Sequence, residues 1–250
     1  MRLINAATLR FEEFFGASIP IYAILSHTWE NEEVTFEEFL KPHSTTKDGY
    51  IKIKSTCDVA LRRGLEYVWI DTCCINKSSS AELTEAINSM FRWYERCELC
   101  IAYLVDVAPT GDDPEGFGSS RWFTRGWTLQ ELLAPHEVDF FSSDWTPIGT
   151  RGKLAGPISR ITGVDEVYLV TTKRGSRFSL LKQASVAERM SWAARRITTR
   201  EEDIAYCLLG IFGVNMPLIY GEGMNAFIRL QEEILKNCFD PTLLSWNASS

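Results

Sequence analysis

The sequence predicts an α/β fold, in which a parallel, doubly wound sheet is followed by a mostly helical extension. Short apolar runs of strand length alternate with longer segments of helical spacing through the first 150 residues. This alternation favours β-α-β units with right-handed crossovers and therefore a parallel sheet. We expect an α/β core over residues 1–150 and a helical extension over residues 151–250 that packs on this core.

Four apolar runs are the predicted strands of the sheet. Each run has the length and composition of a buried strand, and each is followed by polar residues or a glycine-rich or proline-rich loop. The four runs lie at residues 21–26, 67–70, 100–105 and 138–141.

Segments with apolar side chains at helical spacing lie between these runs and after them. Gly64 is a plausible end for the first predicted helix and Pro135 for the third. The later predicted helices are expected to pack on the core as an extension, because amphipathic helices need a partner surface in water. The predicted helices lie at residues 50–65, 81–97, 127–133, 185–213 and 224–236.

The composition favours a cytoplasmic globular protein. Hydrophobic residues make up 45% of the chain and charged residues 24%. The net charge of −7 argues against a general nucleic-acid binder, which usually carries a basic excess. No secretory signal is visible, and the most apolar stretch, residues 205–220, contains Gly210 and Pro217 and is too short to span a bilayer. We therefore expect neither a membrane nor a nucleic-acid partner.

The cysteines and histidines do not predict a metal site. Cys97 and Cys100 form one C-x-x-C pair, whereas a zinc site needs a second pair or histidines at ligand spacing. The seven cysteines are expected to be free thiols in a reducing compartment.

Charge is unevenly distributed along the chain. The first 50 residues are mainly acidic, whereas the charged residues at 171–200 are mostly basic and include Arg177. We interpret the basic residues as a solvated face, with head-to-tail self-association as the alternative.

Three segments together resemble the heterokaryon incompatibility (HET) domain family. They are residues 22–29 (YAILSHTW), 67–76 (YVWIDTCCIN) and 121–131 (RWFTRGWTLQE). Their order and spacing fit the family over about residues 20–145, and residues 203–233 look like the segment that often follows this domain. Lys77 stands where the family usually has Gln. The resemblance implies a cell-death effector.

HET domains are in turn similar to Toll/interleukin-1 receptor (TIR) domains, some of which cleave NAD. In those domains the catalytic helix after the third strand carries a Trp-x-x-x-Glu pattern, which Trp127 and Glu131 match here. The resemblance implies that Glu131 is a catalytic carboxylate and that NAD+ or a related nucleotide is the substrate, acted on in oligomers. A GxGxxG fingerprint is absent from the sequence, which favours NAD+ as a substrate over NAD+ as a redox cofactor.

The expected topology brings the candidate residues to one crevice. In a flavodoxin-like strand order, 2-1-3-4-5, ligands lie beyond the carboxyl ends of the strands, between the first and third strands. Cleavage of the nicotinamide–ribose bond passes through an oxocarbenium-like transition state, which a carboxylate stabilises. Beside Glu131, the candidate substrate-binding residues are Ser26, His27, Thr28, Trp29, Asp71, Asn76, Arg121, Arg125 and Trp127.

Each of these residues also has a structural interpretation. Glu131 is alternatively a solvated residue or an ion-pair partner of Arg125, and Trp127 is alternatively a core residue. His27 is alternatively a hydrogen-bonded structural histidine. The serine, threonine, aspartate and asparagine side chains suit turns equally well, and the arginines suit an Arg–Glu lattice. At the level of function, the alternatives are a death-signalling adaptor without chemistry and a module that senses nucleotides without turnover.

Overall fold

The computed structural model describes residues 1–41, 46–109, 116–170, 177–237, 240 and 242. Its centre is a seven-stranded sheet with the order β2-β1-β4-β3-β5-β6-β7. The strands are β1 (Arg2–Asn5), β2 (Arg10–Glu13), β3 (Ala23–His27), β4 (Tyr67–Trp69), β5 (Leu99–Tyr103), β6 (Val138–Phe141) and β7 (Pro147–Thr150).

The four middle strands are parallel and correspond to the four predicted runs. Their order, β4-β3-β5-β6, is the expected order 2-1-3-4. In particular, β3 pairs with β5, with Ser26 opposite Ala102 and His27 opposite Tyr103. The α/β fold class and the adjacency of the first and third predicted strands are therefore confirmed.

The sheet also has antiparallel strands at both edges, which the sequence analysis did not predict. β1 and β2 form an antiparallel hairpin that pairs with β4, and β7 runs antiparallel to β6. These edge strands have four residues each, with charged or partly exposed positions, so they lack the continuous apolar run that marks a buried parallel strand.

Eleven α-helices surround the sheet within the described residues. Predicted and observed bounds agree to within one residue for the helix Ser80–Arg96. It begins after Ser79, because the Ser79 side chain accepts a hydrogen bond from the Glu82 backbone N–H. The helices are α1 (Phe36–Phe39), α2 (Asp48–Arg62), α3 (Asp71–Cys74), α4 (Ser80–Arg96), α5 (Thr128–Leu133), α6 (Ala155–Thr162), α7 (Arg177–Leu181), α8 (Val186–Ser191), α9 (Asp203–Tyr206), α10 (Leu209–Phe212) and α11 (Asn225–Asn237).

The later helices contact the core through α4. The rings of Phe91 and Phe178 meet edge to face, with centroids 6.1 Å apart. Gly210 lies so close to Phe91 that a Cβ at this position would overlap the ring. The side chain of Asn88 donates to the Met216 carbonyl at 3.2 Å and accepts from the Met216 N–H at 3.1 Å.

Two buried arginines join the core to the chain that follows it. Arg151 donates to the carbonyls of Leu132, Pro135, His136 and Leu169. Burial and, to a lesser extent, the neighbouring positive charge of Arg177 together lower the pKa of Arg151 to about 9. In the folded chain, fixed carbonyl oxygens take the place of the water molecules that would otherwise accept hydrogen bonds from this guanidinium.

Arg177 occupies a comparable position and corrects the interpretation of the basic residues. It is fully buried and donates to the carbonyls of Leu133, Tyr168 and Val170, so it does not belong to a solvated face. Lys173 and Arg174, which also belong to the basic residues at 171–200, lie outside the described residues.

Across the described ranges, no helix has the length and apolar character needed to cross a membrane. Those same ranges contain no group of three or more His, Cys, Asp or Glu side chains placed to hold a metal ion.

Candidate functional site

The candidate residues meet at the carboxyl ends of β3 and β5, on both faces of the sheet. Ser26 is in register with Ala102, and Ala102 with Phe140, so these three side chains point to one face. His27 is in register with Tyr103 and points to the opposite face. The site therefore has a Glu131 side and a His27 side.

On the first side, a chain of hydrogen bonds ends at Glu131. The hydroxyl of Ser26 donates to Glu131 Oε2 at 2.5 Å and accepts from the indole N–H of Trp122 at 2.9 Å. Helix α5, which carries Glu131, is buried along its whole length. Only 7% of the Glu131 surface is exposed.

Burial governs the protonation of Glu131. It raises the pKa of this carboxyl to about 8, against an ordinary value of 4.5. The negative charge of Asp71 acts in the same direction, whereas the hydrogen bond from Ser26 opposes both. At neutral pH the carboxyl is therefore mostly protonated.

Asp71 shows the opposite behaviour. Burial alone would raise its pKa, but the charge of Lys77 and the hydrogen bond from His27 outweigh burial and lower it to about 2. The site thus holds one ionised carboxylate and one carboxyl that ionises only near pH 8. Two carboxyl groups whose pKa values are pushed apart are a common arrangement in acid–base sites.

On the second side, His27 has both ring nitrogens occupied. The ammonium of Lys52 lies 3.0 Å from Nδ1, and Asp71 Oδ1 lies 3.2 Å from Nε2. Because an ammonium has no acceptor, Nδ1 must accept from Lys52, and Nε2–H must donate to Asp71. The hydrogen bonds of His27 therefore fit the structural interpretation better than a free general base.

Trp29 and Lys77 extend this network outward. The indole N–H of Trp29 donates to Asp71 Oδ2 at 3.0 Å. Lys77 Nζ lies 3.4 Å from the centroid of the Trp29 ring and 3.9 Å from Asp71 Oδ2. Burial lowers the pKa of Lys77, and the charge of Asp71 opposes that shift. A cation over the face of an indole is an attractive contact.

Arg121 lies beside Thr28 at the outer edge of the site. Its Nε donates to Thr28 Oγ1 at 3.2 Å, and its guanidinium forms an ion pair with Glu30. The Arg121 backbone N–H donates to Asp106 at 2.8 Å. This pairing with a glutamate is the arrangement expected under the structural interpretation.

Three candidate residues have their contacts elsewhere. Arg125 donates to Thr199 at 2.8 Å, and the indole N–H of Trp127 donates to Asp203 at 3.3 Å, so both join the later helices. The Asn76 side chain accepts from Ser78 within the turn before α4. The structure therefore gathers seven of the ten candidates: Ser26, His27, Thr28, Trp29, Asp71, Arg121 and Glu131.

Three contributors to the site have no role in the sequence analysis. Trp122 stands inside the third matched segment, one residue after Arg121. Lys77 follows the second segment. Lys52 is 7% exposed and lies among the apolar positions of α2, where a charged side chain signals a buried partner. The position of Lys52 among apolar residues of a predicted helix was visible in the sequence.

Comparisons with known proteins agree with the matched segments. Residues 22–116 match the family model described as heterokaryon incompatibility protein (HET). A curated protein of Podospora anserina, vegetative incompatibility protein HET-E-1, is 48% identical over 232 residues, which cover 89% of this chain. The chain spans 17% of the length of that relative. No solved structure matches the chain. The matched range runs through β3, β4 and β5, where most of the site lies, so this part of the chain matches the heterokaryon incompatibility (HET) family.

Proposed function

We propose that this chain acts in heterokaryon incompatibility as a cell-death effector that hydrolyses NAD+ at the nicotinamide–ribose bond. The family match over residues 22–116 and the relative named as a vegetative incompatibility protein support the incompatibility role. The Trp-x-x-x-Glu pattern of Trp127 and Glu131, which resembles that of TIR domains, supports the reaction.

The observation that carries the chemistry is the buried carboxyl of Glu131 between the ends of β3 and β5. This is the switch point of the parallel strands, where open α/β sheets bind their ligands. A carboxyl in a low-dielectric environment interacts more strongly with a nearby positive charge than one in water.

The charge of the substrate suits this environment. The nicotinamide ring of NAD+ is cationic, and an opposite charge close to Glu131 favours the ionised carboxylate. Substrate binding therefore releases the Glu131 proton to solvent and leaves a carboxylate beside the ribose.

The reaction then balances without a cofactor. The C–N bond between ribose and nicotinamide breaks, and neutral nicotinamide leaves with the electron pair. The Glu131 carboxylate stabilises the oxocarbenium-like ribose and accepts a proton from the water that attacks it. The products are nicotinamide, ADP-ribose and one proton.

The surrounding residues supply binding contacts in this proposal. The hydroxyls of Ser26 and Thr28 suit the ribose, and the guanidinium of Arg121 suits a phosphate in place of Glu30. The network of His27, Lys52 and Asp71 holds the second side of the crevice in a fixed arrangement.

The 7% exposure of Glu131 supports a resting state in which this carboxyl is closed to substrate. A substrate reaches this carboxyl only when the crevice opens, and the ion pair of Arg121 with Glu30 is the outermost contact to break. We propose that contacts between copies of the chain in the cytoplasm favour the open crevice.

The experiment is to follow nicotinamide release from NAD+ by the purified chain, with and without induced clustering. Release is expected on clustering and is lost with Glu131→Gln. A matched control is Glu232→Gln, which changes an exposed glutamate of α11 in the same way. No release from a folded, clustered chain would contradict the proposed reaction.

The second candidate is a death-signalling adaptor without chemistry. The internal hydrogen bonds of Glu131 and His27 favour it, since both side chains are buried and bonded within the protein. Toxicity that survives Glu131→Gln, without nicotinamide release, would support the adaptor. NAD+ binding in calorimetry without product would support a nucleotide-sensing module.

A further inference from the structure

A groove of 480 Å³ lies between the carboxyl end of α2 and the hairpin formed by β6 and β7. Its volume falls in the range of small-molecule sites, which is about 300–1,000 Å³. Arg62 at the end of α2 and Arg63 just after it line one side of the groove. Asp139 lines it from β6, Trp145 from the hairpin, and Lys153 from the turn after the hairpin.

The groove is separate from the Glu131 side of the sheet. Phe140 shares a face with Ser26 through Ala102, and its ring meets that of Trp122, with centroids 5.4 Å apart. Asp139 precedes Phe140 in β6, so its side chain points to the opposite face.

Asp139 is a buried carboxylate with one oxygen left without a partner. Its Oδ2 pairs with Arg63, but among the described residues its Oδ1 has no hydrogen-bond partner, and the residue is 5% exposed. A buried acceptor without a donor costs free energy, so a ligand that brings a donor gains affinity there. Burial raises the pKa of Asp139, and the charge of Arg63 opposes the shift.

The rest of the groove suits an anionic group and a flat ring. Arg62, Arg63 and Lys153 place three positive charges around one carboxylate, in a chain whose net charge is −7. Trp145 is partly exposed, and its ring is held by stacking on Tyr103, with centroids 4.4 Å apart. An aromatic ring held in place is a good surface for stacking a base.

We propose that this groove binds a nucleoside phosphate whose base carries an exocyclic amine. The half-exposed Arg63 side chain moves aside to open Asp139 Oδ1, which is closed to solvent, and the amine then donates to it. The base lies against Trp145, and the phosphate pairs with Arg62 and Lys153. Each part of the ligand contacts a separate feature of the groove. The amine contacts the acceptor that lacks a donor, the base contacts the fixed ring, and the phosphate contacts the exposed cations. A simple anion uses only the last of these.

The first test is calorimetric titration of the chain with adenosine monophosphate (AMP). We expect Arg62→Glu combined with Lys153→Glu to weaken AMP binding at least tenfold, because two attractive charges become repulsive. Lys54→Glu is the matched control, since Lys54 is exposed on the same helix outside the groove. This control is expected to bind AMP as the unchanged chain does.

A second measurement uses the unchanged chain and so does not depend on the folding of a variant. AMP dimethylated on its exocyclic amine lacks the donor for Asp139 and should bind about tenfold more weakly than AMP. Adenosine and inorganic phosphate should each bind much more weakly than AMP.

Binding of AMP should persist in Glu131→Gln, since that residue lies on the other face of the sheet. Three results would overturn the proposal: AMP binding that the double charge reversal leaves unchanged, binding that Glu131→Gln abolishes, and inorganic phosphate or the dimethylated analogue binding as tightly as AMP.

Discussion

The hydroxyl of Ser26 donates a 2.5 Å hydrogen bond to the carboxyl of Glu131, joining residues 105 positions apart in the chain. This bond fixes α5 to the end of β3 and lowers the pKa of Glu131, while burial raises it. The side chain proposed to act on the substrate therefore titrates near physiological pH. We expect both the stability and the activity of the chain to change with pH as Glu131 titrates.

The first prediction concerns stability. The folded-state pKa of Glu131, about 8, lies above its ordinary value of 4.5, so the folded state binds the proton more tightly than the unfolded state. The free energy of unfolding should therefore fall as pH rises from about 4.5 to about 8.

Glu131→Gln removes this titration. Relative to the unchanged chain, the variant should gain at least about 4 °C in Tm between pH 5 and pH 9. Thermal melts of both proteins at the two pH values measure the effect. A Tm difference that does not change with pH would mean that Glu131 is not protonated in the folded state.

The second prediction concerns the pH dependence of NAD+ cleavage. If the ionised form of Glu131 acts, kcat/KM should rise about tenfold per pH unit below pH 8 and level off above it.

The variant Ser26→Ala tests whether this pH dependence comes from Glu131. The hydrogen bond from Ser26 lowers the pKa of Glu131, so its loss should move the midpoint of the profile to higher pH. Initial rates of nicotinamide release from pH 5 to pH 9 test this. A midpoint that stays in place, or moves to lower pH, would mean that a group other than Glu131 causes the observed pH dependence.

The parallel part of the fold was predictable because buried strands leave a strong local signal. Residues 67–70 and 100–105 are continuous apolar runs, and only a sheet covered on both faces explains such runs between amphipathic helices. The edge strands were not predicted because a strand with one exposed side can carry polar residues and then lacks a continuous apolar run. Arg2, for example, lies in β1 and bonds to Glu13 of β2 across the hairpin.

The clustering of the candidate residues was predictable where a polar residue lies at or just after the end of a buried strand. Ser26 and Asp71 were found in this way. Trp127 was assigned from the Trp-x-x-x-Glu resemblance and its helical spacing to Glu131, and Arg125 as a guanidinium suited to phosphate. Neither argument says which neighbour these side chains face. Here the chain after residue 190 supplies their partners, Asp203 and Thr199. Such long-range contacts leave no local pattern.

The third prediction concerns Arg151. Lysine keeps the charge but cannot reproduce the planar set of donors that reaches four carbonyls. Arg151→Lys should therefore lower the free energy of unfolding by about 3 kcal/mol. Chemical denaturation measures it, with Arg160→Lys as the control, because Arg160 is exposed. Equal stability of the two variants would show that the carbonyls find other donors.

The fourth prediction concerns the chain after Thr150. Phe91 and Asn88 of α4 contact Phe178, Gly210 and Met216, so removal of those partners exposes apolar surface. A chain truncated after Thr150 should aggregate or be cut rapidly by protease. Size-exclusion chromatography and limited proteolysis test this, and a soluble truncation that melts cooperatively would show that residues 1–150 fold alone.

The last prediction concerns Glu131 in catalysis. Glu131→Gln keeps the size of the side chain and an acceptor for Ser26, but removes the charge that would stabilise the ribose cation. NAD+ cleavage by the clustered chain should fall at least about a hundredfold, which corresponds to about 3 kcal/mol of lost transition-state stabilisation. Because this substitution is also expected to stabilise the fold at alkaline pH, loss of activity together with a raised Tm distinguishes a chemical role from misfolding. In cells, the variant should lose toxicity at unchanged protein levels, whereas Glu232→Gln should keep it. Full toxicity of Glu131→Gln would mean that killing does not depend on this carboxyl, and the adaptor would then be the better description of the chain.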